Sequence, residues 1–166
     1  MPGANFGPRL FMNTQKLTII ILIVLCAGYF ISLPCLVLQS DDGLLIRLPA
    51  NRDNGITLKY THSVHKTLVV ENISIDNSGK LVVNSTEYES YGVGLPYLAD
   101  EGKFRQEGTR FILEDINRPF SIINLRAGPE AKLEMYYQGK VYALYQMVPS
   151  GGLISLRVAP YYSTWL

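Results

Sequence analysis

The residue types best suited to chemistry are concentrated in one short segment. Two histidines and a serine lie close together in the run Tyr60-Thr61-His62-Ser63-Val64-His65. Imidazole rings bind metal ions and accept protons, and a serine hydroxyl becomes a nucleophile when a base lies beside it. The segment therefore admits a metal site, a serine–histidine nucleophile, or a polar strand end in which His62 makes ordinary hydrogen bonds.

The spacing within this segment favours the polar strand end. On a strand, His62 and His65 are three positions apart and face opposite sides, so they share a metal ion only if a turn lies between them. Ser63 has no third group at a recognisable spacing and does not lie in a nucleophile elbow. We therefore assign no catalytic residue, metal ligand or cofactor, and we expect the protein not to be an enzyme.

Glu71 is the second candidate, because of the strand on which it lies. Residues 69–75 alternate, and Glu71 shares one face with Val69, Ile73 and Ile75. Strict alternation buries this carboxylate, which then requires a partner. A histidine–glutamate pair is the favoured arrangement, and the candidate partners are His62, Lys66 and Arg126. The alternative is an edge strand with Val70 facing the core and Glu71 facing water.

The elements that position these residues show a period of two, which is typical of β-strands. Gln138-Gly139 and Asp76-Asn77-Ser78-Gly79 predict two hairpin turns. No sustained helical period follows residue 40. The pattern predicts one antiparallel β-sandwich or partly open barrel over residues 39–166. Its predicted strands are residues 44–48, 56–60, 69–75, 81–83, 110–115, 120–125, 133–137, 141–145 and 153–158.

A glycine-containing loop interrupts this pattern. Gly92 and Gly94 resemble half of a dinucleotide fingerprint, but the third glycine is missing and no helix follows. Two glycines allow close approach of the backbone, either to a ligand or to another strand. We expect a long loop that continues through the polar residues 100–108, which have little strand character.

An apolar run over residues 17–38 precedes the domain. Its 22 residues would form a helix of about 33 Å, enough to cross a membrane. Basic residues precede it and Asp41 and Asp42 follow it, which places residues 1–16 in the cytoplasm and residues 39–166 outside. The alternative is a cleaved signal, although Leu25-Cys26-Ala27 and Leu38-Gln39-Ser40 are poor cleavage sites. Pro34 would end or kink the helix.

The charge balance excludes one class of partner. The whole chain has 15 basic and 14 acidic residues. A nearly neutral, mixed surface argues against nucleic acid or a strongly anionic partner. Both cysteines lie in the apolar run, so the exported domain is expected to fold without disulfides.

The motifs, taken in order, resemble the bacterial family called domain of unknown function 1850. The resemblance covers residues 44–158, and the chain departs from it at Ala131-Lys132-Leu133, where a polar, often histidine-containing approach to the next strand is expected. The residues that carry it are Tyr60, His62, Ser63, Val64, Glu71, Gly92, Gly94, Leu95, Pro96, Leu125, Arg126 and Gly128.

The resemblance implies an association with transport, because the family is associated with TAXI-type TRAP transporters. We therefore expect an extracytoplasmic, membrane-anchored accessory protein whose partner is the permease or its substrate-binding protein. Its patch for contact or for a small anionic ligand would comprise His62, Ser63, Glu71, Gly92, Gly94 and Arg126. The alternative is a ligand-binding or metal-binding envelope sensor or enzyme that uses His62 and Glu71.

Overall fold

A computed structural model of the chain describes residues 14–62, 66–89 and 102–164. The described residues form one helix, α1 (Thr14–Ser32), and twelve strands. The strands are β1 (Pro34–Ser40), β2 (Gly43–Pro49), β3 (Ile56–Thr61), β4 (Leu68–Ile75), β5 (Leu81–Tyr88), β6 (Lys103–Glu107), β7 (Arg110–Glu114), β8 (Arg118–Phe120), β9 (Ile123–Ala127), β10 (Glu134–Tyr137), β11 (Lys140–Ala143) and β12 (Gly152–Pro160). Short 3₁₀ helices lie at Leu144–Gln146 and Tyr161–Thr164.

Helix α1 has the length and apolarity of a membrane-spanning segment. Its 19 residues would extend about 28 Å, close to the thickness of a hydrocarbon core. The helix buries none of its side chains against the domain. Length and composition permit a membrane anchor, and a signal sequence would meet the same criteria.

The expected helix over residues 17–38 extends too far at its C-terminal end. Helix α1 ends at Ser32, and Pro34 begins β1, which pairs with β12 on one side and β2 on the other. Residues 35–38 are buried. Because a strand buried on both faces is as continuously apolar as a membrane helix, the sequence alone does not separate the two. The β-domain therefore begins at Pro34 rather than at residue 39.

The strands form two antiparallel sheets. The small sheet has the order β2-β1-β12-β9, and the large sheet has the order β11-β10-β3-β4-β5-β7-β6, with β8 also paired to β5. The main core combines residues of both sheets, for example Leu36 and Leu156 of the small sheet with Leu58 and Met135 of the large one. The prediction of an all-β, antiparallel fold, either a sandwich or a partly open barrel, is confirmed, and the strands form two antiparallel sheets.

Both predicted hairpins are present. In the β10–β11 turn Gln138 has φ 50° and Gly139 has φ 72°, as a two-residue turn of the primed kind requires. In the β4–β5 turn, the Asp76 carboxylate accepts hydrogen bonds from the backbone N–H groups of Ser78 and Lys80. These turns fix the register of the strands that carry the candidate site.

Two predicted segments differ from the structure. The single strand expected over residues 120–125 is divided into β8, which pairs with β5 in the large sheet, and β9, which pairs with β12 in the small sheet. The chain crosses between the sheets at Ser121 and Ile122. The polar residues 100–108 were expected to be a loop, but Lys103–Glu107 forms the exposed edge strand β6. Edge strands are compatible with such polarity because both of their faces can meet water.

Candidate functional site

A cleft of about 940 Å³ lies where the edge of the small sheet meets the inner face of the large sheet. Strands β3, β4 and β5 form its floor, and the β8–β9 crossing forms one wall. The described residues that line it are Tyr60, Glu71, Val83, Thr86, Ile116, Asn117, Arg118, Pro119, Phe120, Ile122, Ile123, Asn124, Leu125, Arg126, Ala131 and Leu133.

Glu71 lies on the floor of this cleft, hydrogen-bonded to Tyr60. Alternation along β4 places Glu71 on the face that also carries the buried residues Val69 and Ile73. Leu58 is directly opposite Glu71, so Tyr60 is its diagonal neighbour on the same face. The Tyr60 hydroxyl donates a hydrogen bond to Glu71 Oε1 at 3.0 Å. The carboxylate is therefore held on the inner face of a central strand.

Burial governs the protonation of this pair. Burial raises the pKa of Glu71, and the hydrogen bond from Tyr60 opposes that shift only in part. Burial and the neighbouring carboxylate raise the pKa of Tyr60 far above its usual value. Tyr60 therefore remains a neutral hydrogen-bond donor at physiological pH, beside a carboxyl group whose ionised form is poorly solvated.

The raised pKa of Glu71 predicts a pH dependence of stability. Below the ordinary pKa of a glutamate both states hold the proton, but above it the unfolded chain ionises first. The free energy of unfolding is therefore expected to fall as the pH rises through the raised pKa. Glu71→Gln removes this contribution, so the stability of the wild type relative to the variant should decline as the pH rises above the ordinary pKa of a glutamate, about 4.3, in urea unfolding experiments.

Glu130→Gln is the matched control for this measurement. Glu130 is exposed, and its ion pair with Lys66 at 2.8 Å lowers the pKa of its carboxyl group. The stability contributed by this ion pair is present above the ordinary pKa of a glutamate and is lost as the pH falls through the lowered pKa, so this control should show a slope of the opposite sign, confined to pH values below about 4.3. Parallel stability curves for the wild type and Glu71→Gln would contradict the raised pKa of Glu71.

The partner of Glu71 differs from the expected histidine. His62 follows the end of β3, four residues beyond Leu58, which corresponds to about 13 Å along a strand. Its backbone N–H donates to the Thr67 carbonyl, and its own carbonyl accepts from Lys66 N–H. The expectation of a buried face for Glu71 was correct, but its partner is Tyr60, because the diagonal neighbour on β3 is closer than the strand end.

The structure brings together two residues of the predicted patch. Glu71 and Arg126 both line the cleft, whereas His62 lies beyond the end of β3 and is not among the lining residues. Arg126 lies on the edge strand β9, is exposed, and donates to the Gly151 carbonyl at 3.3 Å. The remaining patch residues lie outside the described residues: Ser63, Gly92 and Gly94.

Arg118 is a site residue that the sequence analysis missed. It lies opposite Val83 in the β5–β8 ladder, two residues before Phe120, and therefore shares the cleft face with both. Its guanidinium carbon is 5.7 Å from the centre of the Phe120 ring. Arg118 makes no ion pair with a described carboxylate. Its alternation with Phe120 was the available signal, but the predicted strand began only at residue 120.

Thr86 completes the polar floor. It lies directly opposite Glu71 in the β4–β5 ladder and is only 2% exposed. Its hydroxyl is a potential donor and acceptor in an otherwise largely apolar interior. A bound molecule would therefore meet a carboxyl, two hydroxyls and an arginine on one sheet face.

The arrangement suits binding by charge and hydrogen bonds. The ladder places Arg118 two strands from Glu71 and about two residues along, which corresponds to about 12 Å between their Cα atoms. Apolar residues, including Val83 and Leu125, separate the two charged positions. Within residues 14–62, 66–89 and 102–164, no group of three or more His, Cys, Asp and Glu side chains could hold a metal ion.

Comparison with known proteins identifies the family of the chain. The family model described as "Domain of unknown function (DUF1850)" matches residues 56–144, more than half of the chain. No curated protein and no solved structure matches the chain significantly. The matched segment runs from β3 to the start of the first 3₁₀ helix and contains Tyr60, Glu71, Thr86, Arg118 and Arg126. The chain therefore belongs to the family of domain of unknown function 1850.

Proposed function

We propose that the protein is a membrane-anchored, non-enzymatic accessory protein of a TAXI-type TRAP transporter, and that its cleft binds a small organic solute. In this proposal α1 is a retained anchor with its N-terminus in the cytoplasm. The β-domain lies on the extracytoplasmic side, where the permease or its substrate-binding protein would meet it. The resemblance of the motifs to a transporter-associated family supports the choice of partner.

The cleft is the observation that carries the binding part of the proposal. A concave site with mostly apolar walls and a few convergent polar groups is the usual form of a small-molecule site. Glu71, Tyr60, Thr86 and Arg118 supply those polar groups here. Since Tyr60 already occupies one carboxylate oxygen of Glu71, the other oxygen can bind a ligand.

The short connection between α1 and β1 supports the anchored arrangement. One residue, Leu33, separates the helix from β1, and its carbonyl accepts a hydrogen bond from Tyr161 N–H at 3.0 Å. The C-terminal 3₁₀ helix is therefore tied to the base of α1. A domain joined to its anchor by so few residues would remain close to the membrane surface and within reach of a permease.

The alternative of a metal-binding sensor or an enzyme built on His62 and Glu71 is less well supported. Glu71 lines the cleft and is hydrogen-bonded to Tyr60, whereas His62 follows the end of β3. In the proposed function the solute is bound by residues that line the cleft. This function therefore does not require His62 and Glu71 to lie close together.

Co-purification tests the transporter association. The full chain, tagged at its C-terminus and extracted in mild detergent, is expected to recover the TRAP permease or its binding protein. A control in which α1 is replaced by an unrelated membrane helix tests whether the β-domain alone is sufficient. Recovery of neither subunit by the intact chain would contradict the proposed partner.

A further inference from the structure

We propose that the cleft binds a small amino carboxylate, with its carboxylate on Arg118 and its ammonium group on Glu71. This inference rests on the proposed function, because it assigns a ligand class to the same cleft. It follows from the positions of the two charged groups rather than from the resemblance to a family.

The two groups lie on the same face of the large sheet, Glu71 on β4 and Arg118 on β8, but are not paired with each other. Glu71 is opposite Thr86 and Arg118 is opposite Val83, and all four residues line the cleft. No salt bridge joins Arg118 to Glu71. An acid and a base that face one cavity without neutralising each other are complementary to a ligand with opposite charges at its two ends.

Each group matches the chemistry of the end it would bind. The planar guanidinium of an arginine binds a carboxylate with two parallel hydrogen bonds. Glu71 accepts one hydrogen bond from Tyr60, which orients the carboxylate and leaves its second oxygen for an ammonium donor. Burial raises the pKa of Glu71 because its charge is poorly solvated, and an ammonium group would supply the missing counter-charge.

The surface between the two charges is apolar and suits a short methylene chain. Val83 on β5 lies between Glu71 on β4 and Arg118 on β8, and Phe120, Leu125 and Leu133 line the same cleft. A dicarboxylate held by Arg118 would bring a second negative charge to Glu71, because the other arginine of the cleft, Arg126, lies exposed on the edge strand β9 and donates to the Gly151 carbonyl. A diamine would bring a second positive charge to Arg118. Each mismatch is unfavourable in a partly desolvated site, so the cleft should discriminate against both.

Three four-carbon compounds test this assignment. γ-Aminobutyrate carries one charge of each sign, succinate carries two carboxylates, and putrescine carries two amines. Isothermal titration of the detergent-solubilised full chain is expected to show that γ-aminobutyrate binds at least about tenfold more tightly than either of the others, a difference of about 1.4 kcal/mol. This ranking is measured on the wild type and does not depend on a variant that folds.

Two variants then test which residue binds each charged end of the ligand. Arg118→Gln and Glu71→Gln should each weaken γ-aminobutyrate binding at least about tenfold, while Glu71→Gln should reduce the discrimination against succinate. Arg110→Gln is the matched control, because Arg110 is exposed on β7 and does not line the cleft. It should change the affinity less than about twofold.

The outcomes separate this inference from the proposed function. Equal or tighter binding of succinate or putrescine, or no binding of any of the three compounds, would overturn the amino carboxylate assignment. Equal weakening of binding by Arg110→Gln and Arg118→Gln would also overturn the assignment. Co-purification with the transporter is independent of these titrations, so its success beside a failed titration would retain the partner and reject the ligand class.

Discussion

A chain that begins at Asp41 is expected not to fold, whereas a chain that begins at Leu33 is expected to form the complete β-domain. The difference is β1, which lies between β2 and β12 in the small sheet. All seven residues of β1 have register partners on β12. Their removal leaves β2 and β12 with unpaired edges in the interior of the sheet, where backbone groups require partners.

The energetic loss is comparable to the whole stability of a domain. Leu36, Val37 and Leu38 are each 0% exposed. Burial of each such side chain contributes about 1.5–3 kcal/mol, or about 5–9 kcal/mol for the three. Domains of this size are typically stable by about 5–15 kcal/mol, so the shorter chain should lack a cooperative transition.

Circular dichroism and urea unfolding of the two truncated chains provide the measurement. The chain from Leu33 serves as the control, because it lacks α1 but keeps every strand that the structure describes. A cooperative unfolding transition in the chain from Asp41 would contradict the central position of β1. If the prediction holds, cleavage after Leu38-Gln39-Ser40 would destroy the fold, and any cleavage must lie before β1.

The strands and hairpins were predictable because their signals are local. Asp76-Asn77-Ser78-Gly79 and Gln138-Gly139 identify turns, and the flanking residues alternate with a period of two. The inward position of Glu71 followed from the same alternation, since it depends only on its own strand. Local pattern therefore predicts which face a residue occupies.

The partner of Glu71 was not predictable, because it depends on register between strands. Tyr60 reaches the carboxylate only because Leu58 lies opposite Glu71. A shift of one residue would have turned Tyr60 to the other face. Arg118 was missed for a similar reason, since its role depends on pairing of β8 with β5, which no periodicity reveals.

The prediction of where α1 ends was wrong for a third reason. The apolar run continues without interruption from a helix into β1, and hydropathy does not distinguish these environments. Pro34 was the informative residue, because proline commonly occupies the first position of a strand and is excluded from helix interiors. The helix ends just before Pro34, the poorest helix former in the run, rather than at the end of the apolar residues.

Solute uptake by cells tests the central claim of a transporter accessory protein with a binding cleft. In cells that carry the TRAP transporter proposed as its partner, deletion of the chain is expected to lower uptake of the transported solute, and the wild-type chain should restore it. Arg118→Glu places a negative charge on the cleft face beside Val83. The variant should therefore repel an anionic group and fail to restore uptake, with a rate roughly tenfold below the wild type.

Arg110→Glu provides the matched control, because it makes the same charge change at an exposed position of β7 that does not line the cleft. Membrane levels of both variants, measured by immunoblot, should equal that of the wild type. The account predicts that Arg110→Glu restores uptake and Arg118→Glu does not. Unchanged uptake after deletion of the chain, or equal restoration by the two variants, would contradict it.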